Sequence, residues 1–402
     1  MVASMTHIAD GSKKVPATVW ALGFVSMFMD ISSEMIHALL PLFLTTTLGV
    51  SVAVVGLIEG IAEATASIVK VFSGWLSDRL GKRKWLTVAG YALGALTKPI
   101  FAIAVTPYEV LGARFADRIG KGIRGAPRDA LVADVTPEGI RGKAYGIRQA
   151  LDTVGAFAGP LLAVGLMLVY AGDMRAVFAW AIVPGFVAVA IAVFGVREPV
   201  RPKPRAPSEA PIRFADIRHA GFAYWSVVAV GATFTMARFS EAFLVLRAQD
   251  VGIAIVYAPA VMVVMNVAYA LVATPAGAWS DRTDRRRILA LSLVPLLAAD
   301  LVLALWPSII GIVAGVVLWG VHMGMSQGLL AALVADTVPA AQRGTAFGVF
   351  NLIGGVVMFL ASLLAGVLWV TAGPAATFLA GGGFALASLG GLVILLRRRP
   401  AD

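Results

Sequence analysis

Three titratable residues stand close together near the start of the chain, in a stretch with few other polar groups. Asp30, Glu34 and His37 in FMDISSEMIHALLP are spaced by four and three, so one helix face carries all of them. Burial favours the neutral form of a carboxylate and a neighbouring arginine favours the charged form. An acid that alternates between those surroundings can take up and release a proton. Asp30 and Glu34 are therefore expected to be coupling groups for protons. The competing reading is a static ion pair with Arg114, Arg118 or Lys70.

A second concentration of charge runs from Gly112 to Asp134, GARFADRIGKGIRGAPRDALVAD. At about 100° per residue, positions 114, 117, 118, 121, 124 and 128 fall within roughly a third of a helix, opposite Phe115, Ile119, Ile123 and Ala126. Facing lipid, each of these charges would cost about 2.5–3.5 kcal/mol, so the stripe must line water or meet acidic partners. By the rise of about 1.5 Å per residue, Arg118 and Lys121 fall near the middle of the helix, where they are expected to meet substrate charge. Arg124, Arg128 and Asp129 fall nearer its end.

Further interior polar residues extend the candidate substrate set. Glu59, Glu63 and Lys70 share a stripe, and Glu59, nearest the outer end, is expected to be solvated at the interface. Arg148 and Asp152 form an i, i+4 pair that reads as a local salt bridge, with Arg148 a secondary candidate. Arg238, Glu241, Asn266, Gln327 and Asn351 complete the set, with Arg238 a candidate anion clamp. Asp300 is expected to face an interface with water, and His322 to satisfy a local hydrogen bond. His37, His322, Asp30 and Glu34 could together suit a first-row metal ion, but their spacing is not diagnostic and no metal is expected.

These residues need helices to position them. The 402-residue chain is 59% hydrophobic and 14% charged, with a mean hydropathy of +0.85, which excludes an ordinary soluble domain. Apolar runs of about 20 residues call for membrane-spanning helices rather than a β-barrel. The expected fold is an all-α polytopic membrane protein with twelve spans, at 17–47, 50–76, 85–105, 107–134, 142–170, 176–196, 219–247, 251–278, 288–306, 308–335, 344–370 and 375–396. Cysteine is absent, which excludes disulfides and thiolate chemistry. Lys13 and Lys14 precede a long first span without a cleavage pattern, which reads as a retained anchor.

The net charge of +10 sorts by side. Basic residues crowd alternate loops, while the opposite loops hold Arg175 and Arg247, so both termini and the central loop are expected to be cytoplasmic. A Pro-rich basic segment, Arg197 to Arg213, reads as a linker. Residues 1–196 and 218–402 would then be two six-helix bundles joined by 197–217. An internal repeat agrees. GWLSDRLGKRK at Gly74–Lys84 aligns with GAWSDRTDRRR at Gly277–Arg287, and ADV with PEGIRG at 133–142 aligns with ADT and PAAQRG at 335–344.

With those motifs in place, the whole chain resembles the major facilitator superfamily. The superfamily loop signature stands complete at Gly74, Asp78, Arg79, Gly81, Lys82 and Arg83. Its second copy keeps Gly277, Asp281 and Arg282, with Asp284 in place of glycine. Physically, glycine permits a tight turn, and Asp78, Arg79, Arg83, Asp134, Arg141, Asp281 and Arg282 would form a charge network that locks one conformation. The resemblance also implies that Arg114 is the fourth-helix arginine of proton-coupled exporters, tuning the coupling acid. It further implies that Gly155, Gly159 and Pro160 are the antiporter gating motif of the fifth helix. Asp117 to Arg124 is similar to the Asp-Arg-x-Gly-Lys-Gly-Ile-Arg helix of drug-exporter-like bacterial and archaeal permeases.

The expectation is a secondary active transporter of the cytoplasmic membrane, a monomer that exports a small anionic, zwitterionic or drug-like compound against protons by alternating access. Uptake of an anionic metabolite or metal chelate by proton symport is the alternative, and metal-ion transport the third. No nucleotide-binding loop and no catalytic constellation stands in the sequence, so neither an enzyme nor direct ATP coupling is expected. The proton is the only coupling ion expected, with no cofactor and no nucleic-acid partner.

Overall fold

The computed structural model describes residues 14–80, 82–199, 221–280, 282–339 and 342–397. The side chains of Asp78 and of residues 395–397 lie outside that description, as do Gly81, Asp281 and most of the expected linker. No strand occurs among the described residues.

Among the described residues twelve long helices follow one another: α1 Ala17–His37, α2 Val52–Leu80, α3 Arg83–Ile103, α4 Pro107–Val135, α5 Arg141–Val169, α6 Met174–Phe194, α7 Phe222–Ala237, α8 Ala260–Ser280, α9 Arg285–Leu305, α10 Ile309–Ser326, α11 Arg343–Ala372 and α12 Pro374–Arg397. Eleven of the spans are long and apolar enough to cross a membrane. The exception is α4, where the charge stripe lowers hydropathy. Its 29 residues still give roughly 43 Å of helix, beyond the ~30 Å hydrocarbon core.

Three spans are broken. After α1 the chain continues through Leu40–Leu42 into a π-helical turn, Phe43–Thr47. Pro41 has no N–H to offer the His37 carbonyl, so the ladder cannot run through. α7 stops at Ala237 and resumes at Ala242–Asp250. Local side chains satisfy part of the opened backbone: Ser240 N donates to Ser362 Oγ at 3.3 Å, and Ala242 N to Ser240 Oγ at 3.3 Å. α10 breaks at Gly328, whose φ of 73° suits glycine, and resumes at Leu329–Asp336.

Packing repeats between the first six helices and the last six. In the first six, α3 packs on α4 and α6, and α2 on α4; in the last six, α9 packs on α10 and α12, and α8 on α10. The two sets meet through α2 with α11 and α5 with α8. A side chain at Gly56 of α2 would run into the Ser362 carbonyl of α11, and Gly355 packs against Ala64 and Ser67. Gly56 and Ser362 lie toward the ends of α2 and α11 away from the basic loops, and Gly355 meets Ala64 and Ser67 near the middle of both helices.

Candidate substrate and proton site

α4 organises the site through its Gly-Lys-Gly step. A Cβ at Gly120 would lie 2.6 Å from the Gly90 carbonyl of α3, and one at Gly122 would lie 2.6 Å from Val69 Cβ of α2. Neither glycine could be larger. Neighbouring residues on a helix are about 100° apart, so with α3 and α2 closed on either side Lys121 is left facing the gap between them. It is exposed and lines the cavity.

The rest of the stripe finds partners on both flanks. Toward α2, Arg114 Nη2 lies 2.8 Å from Glu59 Oε2, and Arg118 Nη2 lies 3.1 Å from Glu63 Oε1. Toward α3, Lys98 Nζ donates to Asp117 Oδ1 at 2.9 Å and to Ser33 Oγ at 3.0 Å, and Arg124 sits over the Tyr91 ring at 4.7 Å. Near the basic end Arg128 donates to Asp129 Oδ1 and to Ser26 Oγ. Both expectations for the stripe therefore hold in different places: most of its charges meet acids or an aromatic face, and Lys121 meets the cavity.

α1 supplies the acids. Gly155 and Gly159 of α5 let α1 approach: a Cβ at Gly155 would lie 2.9 Å from Asp30 Cβ, and one at Gly159 would lie 2.7 Å from Glu34 Cβ. Pro160 is buried in the same helix. The glycines of the expected gating motif therefore seat the two expected coupling acids. His37 joins two carboxylates, with Nδ1 3.4 Å from Glu34 Oε2 and Nε2 3.6 Å from Glu59 Oε2.

Two adjoining cavities result. The central one, about 240 Å³, lies between Glu34, His37, Glu63, Arg118 and Lys121 on one wall and Arg238, Phe239, Ser240, Glu241, Trp319 and Met358 on the other. A second, about 300 Å³, extends past Asp30, Lys70, Arg128 and Asp152 and shares Glu34, Glu63 and Lys121 with the first. Arg238 and Glu241 enter the central cavity because the break in α7 falls between them.

Other sequence candidates lie elsewhere. Arg148 forms the expected local bridge, Nη1 to Asp152 Oδ1 at 3.7 Å, and also approaches Asp129 at 3.8 Å. Asn266 gives its amide to the Ala156 carbonyl at 3.0 Å, a tie from α8 to α5. Gln327 and Asn351 are exposed near the basic end. His322 has the expected local bond, Nδ1 to the Ser292 carbonyl at 2.6 Å. Among the described residues no cluster of three or more metal-ligating side chains occurs.

Two expectations are corrected. Glu59 is not solvated at an interface: it is 0% exposed, ringed by Arg114, His37 and Ser240, whose Oγ lies 3.5 Å away. Asp300 does not face water either. It is 0% exposed, packed beside Gly381 and Phe239, with no hydrogen-bond partner for either carboxylate oxygen among the described residues. Hydropathy counts a charge but not its distant partners. Lys98 with Asp117 and Ser33, and Ser240 with Glu59, were invisible for the same reason.

At the basic end, Arg83 Nη1 lies 2.8 Å from Asp134 Oδ2, and Arg285 Nη1 lies 3.2 Å from Asp336 Oδ2 at the same sequence separation. Arg141 pairs with Glu138 at 3.3 Å. Gly74 packs against Ala126, Arg79 lies over Trp75 at 5.3 Å, and Arg282 is exposed. These described pairs each stay within one set of six helices.

Residues 22–266 and 242–402 match the sequence profile of the Major Facilitator Superfamily. The chain belongs to that superfamily. A relative in it, the uncharacterized MFS-type transporter MJ1317 of Methanocaldococcus jannaschii, is 32% identical over 393 residues, 96% of each chain. The multidrug resistance protein MdtH of Aeromonas hydrophila is 28% identical over 148 residues, 37% of each chain. Solved superfamily structures share the fold. A POT family transporter superposes with a TM-score of 0.78 at 11% identity, covering 95% of this chain and 96% of the other. The nucleoside transporter NupG superposes at 0.75 and 13% identity, covering 94% and 100%. As a member of the Major Facilitator Superfamily, the protein is a multi-pass membrane transporter.

Proposed function

We propose that the protein is a monomeric secondary transporter of the cytoplasmic membrane, with both termini cytoplasmic, that exports a small organic compound in exchange for protons. The observation that carries this reading is the position of Asp30 and Glu34. Both line the second cavity beside Lys70 and Lys121, with Glu34 also 3.4 Å from His37, so they are acids that water and substrate can reach together. Interior ionisable groups in a membrane protein mark ion and substrate paths.

In this reading the structure is the inward-open state. α2 and α11, and α5 and α8, close the outer side, and the lysines Lys70 and Lys121 stand in the inner vestibule. Substrate enters against Lys121 and Arg238. Its binding competes with protons for Asp30 and Glu34, and Arg114 acts on Glu34 indirectly through Glu59 and His37. Reclosing the inner side would bring Arg79, Arg83, Arg282 and their acidic neighbours into the conformational lock. The local likeness to MdtH supports export.

The test is uptake into everted membrane vesicles under an imposed pH gradient, acid inside. Export with proton exchange predicts accumulation inside the vesicles that collapses with the gradient. Accumulation only under the opposite gradient supports proton-driven uptake instead.

A further inference from the structure

The two walls of the central cavity differ in how their charges are partnered. On the wall from the first six helices, Arg118 is paired with Glu63, and Glu34 with His37. On the wall from the last six, Arg238 and Glu241 are the two charged residues, and neither side chain makes a hydrogen bond or ion pair among the described residues. Arg238 has only the Phe234 ring, at 5.8 Å. Both are partly exposed to the cavity, so each is free to bind a solute of opposite charge.

Their placement is also fixed. Both flank the break in α7, which Ser240 pins to Ser362 on one side and to Glu59 on the other. Beside them stand Phe239, Trp319 and Met358, and the buried indole N–H of Trp319 has no acceptor among the described residues. The lining carries both signs: Glu34, Glu63 and Glu241 stand with Arg118, Lys121, Arg238 and the imidazole of His37. A plain anion would answer Arg238 and leave Glu241 without a partner, whereas a zwitterion answers both.

We infer that the substrate is a zwitterion with an apolar part. Its anionic group binds Arg238, its cationic group binds Glu241, and its apolar part packs on Phe239, Trp319 and Met358. The inference rests on the transport reading but not on proton coupling or its direction.

Isothermal titration of the purified full-length protein tests it, with L-phenylalanine and 4-(aminomethyl)benzoate as zwitterions and phenethylamine and 3-phenylpropionate as singly charged counterparts. At least one zwitterion should bind ten-fold or more tightly than both counterparts. Arg238→Gln should erase the preference over phenethylamine, and Glu241→Gln the preference over 3-phenylpropionate, with unfolding temperatures showing that both variants fold. The inference is overturned if none of the four binds, if a singly charged probe binds as tightly as the zwitterions, or if folded variants keep both preferences. Zwitterion binding without proton movement would leave it standing and remove the coupling proposal.

Discussion

Glu59 and Arg114 form an ion pair at 2.8 Å between α2 and α4, with both side chains almost wholly buried. The same carboxylate oxygen lies 3.5 Å from Ser240 Oγ of the opposite half and 3.6 Å from His37. One acid therefore connects α1, the charged helix α4 and the break in α7. Its separation of 55 residues from Arg114 is what hides the pair from any local reading.

Removing one member of this pair leaves the other buried and uncompensated. Arg114→Ala is expected to destabilise the protein by about 3–5 kcal/mol. Replacing both partners with apolar residues, Glu59→Leu with Arg114→Met, should recover most of that loss. Thermal unfolding in detergent reads both, and a double variant as unstable as the single one would contradict the account.

Gly159 holds α5 against Glu34. Gly159→Ala puts a methyl group where 2.7 Å separates it from Glu34 Cβ, and overpacking of this kind costs about 1–3 kcal/mol. Transport should fall more than folded yield, because the displaced residue is one of the two proposed coupling acids. Equal transport per folded molecule in the variant and the parent would show that the motif does not seat Glu34.

Lys121 and Arg118 should separate under mutation. Lys121 has no described partner, so Lys121→Ala should change stability by less than about 0.5 kcal/mol while weakening substrate binding. Arg118→Ala breaks its pair with Glu63 and should lower the unfolding temperature as well. Identical stability losses for the two would mean that Lys121 is structural.

The paired loops at the basic end offer a charge-swap test. Asp134→Arg places two cations together where Arg83 now meets a carboxylate at 2.8 Å. Adding Arg83→Asp should restore transport lost in the single variant. Arg285 and Asp336 are more exposed, so breaking that pair should cost no more than about 1 kcal/mol. Failure of the swap to restore transport would remove this contact from the lock.

Much of the architecture is legible without coordinates, because a span and a repeat are local patterns. Eleven spans follow from hydropathy, α4 from the helical spacing of its charge stripe, and the repeat at Gly74 and Gly277 from register. The break after α1 follows from Pro41, yet the break at Arg238–Glu241 has neither proline nor glycine to announce it. It depends on Ser362, 122 residues away. Asp300 and Glu59 were misplaced for a related reason: position along a helix gives depth in the membrane but not which face is covered. That Asp30 and Glu34 share a face is legible in the sequence because two acids at spacing four point the same way from a helix.

The most direct test of the central claim is proton movement in proteoliposomes loaded with a pH-sensitive dye. Adding a compound that binds the purified protein should drive a substrate-dependent proton flux, and Asp30→Asn with Glu34→Gln should abolish the flux while binding persists. Undiminished proton flux in that double variant would contradict the assignment of these acids as the coupling groups.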